Sequence, residues 1–495
     1  MTNPLTTALG IGLTALMASA ASAQTAGQPT SWNAQAPAWG APAAGVGADT
    51  VVLSTDEYRA LLGRIEALER VLGPEMQLGL SLQNLKARVD GLEAGGVDGG
   101  MKVTWKDGLR FEDEDVQFKI GGRIHFDNVF ASGDDDLEDS AQAAGEDDLE
   151  HLRDGTEFRN ARLYIQGSIY DQHEFKAQYN FSGGDADFKD VYMKFNQIPG
   201  IDNLTVGQFK EPFSLEELTS SNYGTFAERS IANALVPGRS AGVATEHDWN
   251  DGAVNWAVGV FRDGSDDQGM SMDDGNGAFT TRLAGTPLYE LDGERFLHLG
   301  ASYSTRSLAD DDGSDPNVEI GVRPEVHKAD KLMVAEFDAD NVDLTGFEAA
   351  FQEGPFSIQA EQVTARFDSD EADDPEFSGH YVQASYFLTD GDRRGYKRKG
   401  ARFDRVVPLR PFLTPEGQKG PGAWEIAYRL SHLDMDDGMV GDEAGTMDNQ
   451  TLGVNWYMSR NTRIMFNHVN SQLDDRGDGV EGEADYYVLR FQTEF

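Results

Sequence analysis

The chain has 495 residues, no cysteine, and 85 acidic against 41 basic side chains, a formal charge of −44 at pH 7. That balance excludes a general nucleic-acid binder, which needs a basic face to displace counterions, and the missing cysteines exclude disulfides and thiol chemistry. Abundant glycine (55) and aromatics (10%) suit many strands joined by turns.

Leu5 to Met17 form an apolar run interrupted only by Thr and Gly, followed by the small residues Ala21-Ser22-Ala23. This predicts a signal peptide over 1–23, cleaved before Gln24. No later stretch approaches the ~18 apolar residues of a spanning helix, so any membrane crossing must use strands. Residues 24–50, rich in Ala, Gly and Pro, read as a flexible linker. Over 51–95, Tyr58, Leu61, Ile65, Leu68 and Leu72, then Leu78, Leu82, Leu85, Val89 and Leu92, recur by threes and fours. That spacing predicts coiled-coil helices, broken at Pro74 and opened by a capping box at Ser54 and Glu57. A linker over 96–110 follows.

From about residue 111 the period becomes two. Val116, Phe118, Ile120, Ile124, Phe126 and Phe130 share one face of an extended segment, while Gln117, Lys119, Arg123, His125 and Asp127 share the other. Phe175, Ala177, Tyr179 and Phe181 oppose Lys176, Gln178, Asn180 and Ser182, and Trp424, Ile426, Tyr428 and Leu430 oppose Glu425, Arg429 and Ser431. At the end, Tyr487, Leu489, Phe491, Thr493 and Phe495 oppose Arg490, Gln492 and Glu494. These runs are about 9–14 residues long, the length a tilted strand needs to cross a bilayer, whereas soluble strands average 5–6. Short turns such as Phe181–Asp185 alternate with long acidic loops such as 132–155 and 308–316. The fold expected over 111–495 is an all-β, 16-stranded antiparallel transmembrane β-barrel, with the coiled coil appended at its N-terminus.

Several stretches occur in one order between about residues 105 and 495: Phe118-Lys119-Ile120-Gly121-Gly122-Arg123, Phe158-Arg159-Asn160-Ala161-Arg162-Leu163, Val206-Gly207-Gln208-Phe209-Lys210, Ala227-Glu228-Arg229, Gly400-Ala401-Arg402-Phe403, Gly422-Ala423-Trp424-Glu425 and Leu452-Gly453-Val454-Asn455-Trp456-Tyr457. Together they resemble the phosphate- and polyphosphate-selective porins of Gram-negative outer membranes. The resemblance implies a homotrimer of 16-stranded barrels in outer-membrane lipid and lipopolysaccharide, each constricted by a loop folded into the lumen. It implies a water-filled channel for small anions of the phosphate class, and the Tyr58–Leu92 heptads suggest a periplasmic coiled coil appended to it. Carried over by position, the basic and polar constriction residues fall on Lys119, Arg123, Arg159, Lys176, Ser220, Ser221 and Arg229, with Arg323 surviving from an outer arginine series. The periodicity independently puts Lys119, Arg123 and Lys176 on polar faces. Strict alternation puts Arg159 on the face of Leu163 and Ile165, which sets it above the hydrocarbon or beside a bulge. The pattern also departs: Asn160, Glu217 and Glu325 stand where the family has basic residues, and Gly321 interrupts the arginine series.

Fixed cations in a narrow lumen lower the barrier for an anion, and several moderate sites in series let it leave again. Arginine suits phosphate oxygens through its planar fork, lysine through a point charge. The basic cluster at 393–405 reads either as an anion funnel at a pore mouth or as a periplasmic turn or interfacial belt facing lipid phosphates. No HExxH, GxSxG or P-loop signature is present, so neither an enzyme nor a cofactor or metal site is expected. Two alternatives remain at this stage: a weakly selective general porin, and a surface acidic β-protein binding divalent cations through its loops.

Overall fold

The computed structural model describes residues 101–495 apart from 146–148, 150–151, 185, 200, 263–269, 273–276, 309–317, 371, 415–416 and 418. The signal peptide, linker and coiled coil expected over 1–95 lie outside the described residues, as does most of the 308–316 loop. The chain forms two compact units, 1–105 and 106–495. Of the first, the described part is a short strand, Lys102–Trp105.

The second unit is a closed barrel of sixteen antiparallel strands, each paired with its neighbour in sequence. They are β1 (Val116–Gly133), β2 (Gly155–Ile169), β3 (His173–Asn180), β4 (Asp187–Ile198), β5 (Asp202–Lys210), β6 (Arg239–Trp249), β7 (Val254–Arg262) and β8 (Gly277–Glu290). The second half comprises β9 (Arg295–Ser307), β10 (Asn341–Glu353), β11 (Phe356–Asp368), β12 (Glu376–Phe387), β13 (Ala423–Asp434), β14 (Thr446–Tyr457), β15 (Thr462–Asp474) and β16 (Gly482–Glu494). β16 closes on β1, from Ala484 opposite Gly133 to Glu494 opposite Arg123, and Phe495 and Gly122 exchange backbone hydrogen bonds at 2.7 and 2.9 Å. Closure leaves no unpaired edge, the condition for strands to sit in hydrocarbon.

The period-2 faces sort as the pattern requires. Glu425 and Arg490 are buried inside, at 0% and 1% exposure, while Trp424 faces out. Outward aromatics pack edge to face or stacked on neighbouring strands, as Tyr179 does on Phe188 and Trp424 on Trp456. At Arg159 the ladder slips: His125 pairs with Asn160 and Phe126 with Phe158, leaving Arg159 as the extra residue. This bulge, the second of the two placements open from the sequence, lets consecutive residues Arg159 and Asn160 both face the lumen.

The rims differ from a strict short-and-long alternation. Phe181–Asp185 connects β3 to β4 on the long-loop rim, and residues 388–422 make an extended connection on the opposite, short-turn rim. The long-loop rim carries its own apolar core, in which Val318, Ile320, Met333 and Phe337 of a three-stranded sheet (Met270–Met272, Val318–Val322, Met333–Phe337) pack on Phe367 and Phe377. Helix α1 (Asp135–Ala144) docks there over Gly482, whose φ of +140° and contact with the Leu137 backbone (2.4 Å from an added Cβ) admit only glycine.

Candidate channel constriction

Two segments enter the lumen. The first is the β5–β6 loop, 211–238, which contains helical turn α2 (Leu215–Leu218) and the 3-10 turn Ile231–Leu235. A segment with so little secondary structure must find partners for its backbone polar groups, and the inner wall supplies them. The Glu361 carboxylate accepts from Leu215 N and Glu216 N at 2.9 and 2.7 Å. Asn455 and Arg463 donate to Thr225 O and Gly224 O at 2.8 and 2.7 Å. Asn467 accepts from Ala227 N at 2.8 Å, and Arg490 donates to Ala227 O.

The second is the limb 393–405 of the β12–β13 connection. Gly395–Lys397 and Arg402–Asp404 form a small hairpin, wedged by Tyr396 and Phe403 against Phe296 and Leu215. Arg394 lies 3.7 Å from the Phe403 ring centre and donates to Gln359. Arg405 joins three elements at once, reaching Asp107 at 3.2 Å, the Tyr223 hydroxyl at 3.1 Å and Glu494. The cluster thus sits on a connection of the short-turn rim, with Arg394 and Arg402 turned to the lumen and Lys397 and Lys399 exposed.

Between these segments and the wall of β1–β8 lies a cavity of about 370 Å³. Twelve of its lining residues are basic (Arg123, Arg159, Arg162, Lys176, Lys194, Lys210, Arg229, Arg239, Arg282, Arg394, Arg402 and Arg490), against four acidic ones, Asp190, Glu216, Glu228 and Glu246. The lumen thus inverts the sign of the whole chain. Arg159, Glu228 and Arg229 also line a second cavity toward the long loops, with Arg323 and His327. Lys194, Glu246, Gly400 and Arg402 also line a third toward the short turns, with Lys399. The central cavity therefore shares lining residues with both of the others.

Of the residues expected at the constriction, Arg123, Arg159, Lys176, Ser220, Ser221 and Arg229 line the central cavity. Arg323 lines the outer one, its Nε donating to Ala329 O at 2.9 Å. Lys119 is outside the lining and donates to the Tyr164 hydroxyl at 2.5 Å. Several cations are neutralised locally. Arg159 pairs with Glu228 at 2.9 Å, Lys176 with Asp190 at 2.5 Å, and buried Glu217 bridges Lys210 and Arg229 at 3.1 and 2.9 Å. Glu325, buried beside the loop, holds Arg429. Arg123 donates to Ser221 Oγ at 2.9 Å and, like Lys194, Arg394 and Arg402, has no carboxylate partner among the described residues. Burial opposes the ionisation of Glu228, but Arg159 and Arg490 outweigh it and hold the carboxyl well below the usual range. At Glu216 burial prevails over Arg429 and pushes the carboxyl up. Lys194, Arg239 and Arg282 also line the cavity, although no reading of the sequence placed them there; nothing local in their strands distinguishes them from other inward cations.

A closed barrel of membrane-length strands, with a lumen narrowed by two inserted segments and lined by cations, is an outer-membrane channel and not an enzyme. The chain belongs to the phosphate-selective porin O and P family, whose pattern matches residues 118–495. It is 28% identical to Porin O of Pseudomonas aeruginosa over 442 residues, covering 80% of this chain and 91% of that protein. It is 29% identical over 399 residues to an uncharacterized protein of Caulobacter vibrioides, covering 78% and 75%. Among solved structures, the outer membrane channel DcaP of Acinetobacter baumannii aligns with a TM-score of 0.49 at 12% identity, over 77% of this chain and 98% of that one. OmpF of Salmonella typhi aligns at 0.47 and 11%, over 79% and 100%.

Proposed function

We propose that this porin conducts small oxyanions of the phosphate class with a modest anion preference, along a path from Arg323 past Arg159 and Arg229 to Arg123, Ser220, Ser221 and Lys176, with Lys119 adding positive potential nearby. One observation carries the reading: the central cavity is lined by twelve cations and four carboxylates in a chain of 41 and 85. Loop charges sit in salt water and fade over about 8–10 Å, whereas lining charges act at contact distance, so the lumen outweighs the total. The ion pairs of Glu217, Glu228 and Asp190 with lining cations, and Asn160 in place of a second arginine, favour weak over strict selectivity. The test is the reversal potential across a salt gradient for wild type and Arg123→Ala. Anion preference that falls in the variant is expected; cation preference in the wild type would refute the proposal.

The same reading extends to assembly. Strands β3 and β5 have only 8 and 9 residues, at the lower limit for crossing hydrocarbon, and with β4 they present Phe188 and Met193 outward, both 55% exposed. A low, apolar wall of this kind supports a homotrimer, with lipopolysaccharide around its perimeter. The heptads of 51–95 would then form a periplasmic coiled coil behind a cleaved signal peptide.

A further inference from the structure

The β12–β13 connection has a second limb, described at 406–414, 417 and 419–422, which leaves Val406 packed on Tyr457 and continues outside the barrel. Phe412 N and Leu413 N donate to Met458 O at 2.7 and 3.1 Å, while Gly420 N and Gly422 N donate to Pro411 O and Arg410 O at 2.9 and 3.0 Å. These bonds fold the limb back on the short-turn rim, which is the periplasmic one in barrels of this type. The Phe412 ring lies 5.0 Å from Trp456, and Trp456 stacks on Trp424 at 5.2 Å and 16°. Both tryptophans point away from the lumen, because their neighbours Glu425, Asn455 and Tyr457 are buried inside. Their indole N–H groups donate to Pro421 O at 3.1 and 2.9 Å, so the polar atom of each ring is satisfied and the apolar faces remain. Leu409 and Leu413 are 66% and 44% exposed beside them.

Two cations accompany this apolar foot. Lys419 Nζ lies 5.2 Å from the Phe412 ring centre, and neither Lys419 nor Arg410 is ion-paired among the described residues. Other cations of the same rim are committed: Arg393 to Glu294, Lys399 to Asp251 and Arg460 to Asp107, at 3.5, 3.5 and 2.9 Å. In a chain with twice as many acids as bases, two cations without an ion pair among the described residues, beside exposed leucines and stacked indoles, suit an anionic, amphipathic neighbour. We propose that the limb 406–422 binds the headgroup of an anionic phospholipid in the adjoining leaflet, with Arg410 and Lys419 on the phosphate and Leu409, Leu413 and the Phe412–Trp456–Trp424 stack on the upper acyl chains. The surface is continuous with the lipid-facing side of β13 and β14, and a basic group at a membrane surface is attracted to anionic lipid while aromatics settle at the headgroup level. The connection therefore serves two anions, the permeant through its inner limb and the membrane through its outer one.

The test is native mass spectrometry of the full-length protein released from mixed micelles with dioleoylphosphatidylglycerol or dioleoylphosphatidylcholine. Wild type is expected to retain phosphatidylglycerol in preference, and Arg410→Ser with Lys419→Ser to lose it by at least about five-fold. Both side chains are on the surface, so the barrel should remain heat-modifiable in the variant. Equal retention of the two lipids by wild type, or undiminished phosphatidylglycerol in the variant, overturns the proposal. A change of oligomeric state in the variant, with lipid retained, would assign the foot to a second copy of the chain instead.

Discussion

The guanidinium of Arg229 lies 2.9 Å from the carboxylate of Glu217, which is wholly buried in the loop behind it. Glu217 also holds Lys210 at 3.1 Å, so one side chain neutralises half of the charge that two lining cations bring to the cavity. A permeating anion meets this pair as a site already occupied by a tethered carboxylate.

Glu217→Gln should therefore strengthen anion selectivity. A unit charge at contact distance and an effective dielectric near 20 is worth about 4 kcal/mol before screening, so a rise in the anion-to-cation permeability ratio on the order of three- to ten-fold is expected. Reversal potentials in a potassium chloride gradient measure it, and block by added phosphate should deepen in parallel. An unchanged ratio would mean that Lys210 and Arg229 do not set the field in the pore.

Asp127 and Arg490 join the first and last strands, with Arg490 Nε and Nη2 donating at 2.7 and 2.6 Å, and both side chains are nearly inaccessible. Arg490 also reaches Glu228 and Ala227 O of the inserted loop. Asp127→Ala leaves a buried guanidinium with less compensation, and a loss of about 3 kcal/mol is expected from the range for broken buried pairs. Heat-modifiability on gels, or denaturant unfolding in detergent, reports it; a loss below about 1 kcal/mol would show that Glu228 alone suffices.

Glu228 links stability to pH. Its folded pKa lies below the ordinary carboxylate value, so its contribution is fully present above about pH 4.5 and is lost as pH falls toward the folded pKa. The stability gap between wild type and Glu228→Gln should be constant from pH 5 to 7 and shrink progressively below pH 4.5. A gap that widened in acid would contradict the assignment of Arg159 and Arg490 as its partners.

Removing residues 51–95 should leave the barrel folded and inserted while weakening, without abolishing, the oligomer, because the barrel closes on itself through β16 and β1. Native gels of the shortened chain against the full one are the measurement. Failure of the shortened chain to fold would place those residues in the core of the protein.

The alternation of apolar and polar side chains at a period of two determined the barrel, the strand faces and the inward direction of Lys119, Arg123 and Lys176, because in a membrane each strand's two faces meet different solvents and the code is local. The number of strands was legible only roughly, from the length of chain after residue 111 and from the family resemblance. The bulge at Arg159 was legible only as an anomaly of that code. What tertiary structure alone decided is the chemistry of the pore. Which carboxylate neutralises which cation depends on how the inserted loop folds and how the strands register: Glu217 meets Arg229 within one loop, Asp190 meets Lys176 across neighbouring strands, and Glu228 meets Arg159 between loop and wall; charge carries no period that would announce these pairs. The same holds for the β12–β13 connection: its run of arginines was plain in sequence, but entry of one limb into the pore follows from Tyr396 and Phe403 finding Phe296 and Leu215, and exit of the other from Phe412 finding Trp456. Those contacts depend on burial against distant residues, and hydrophobic burial is non-directional, so only the closed barrel could select them.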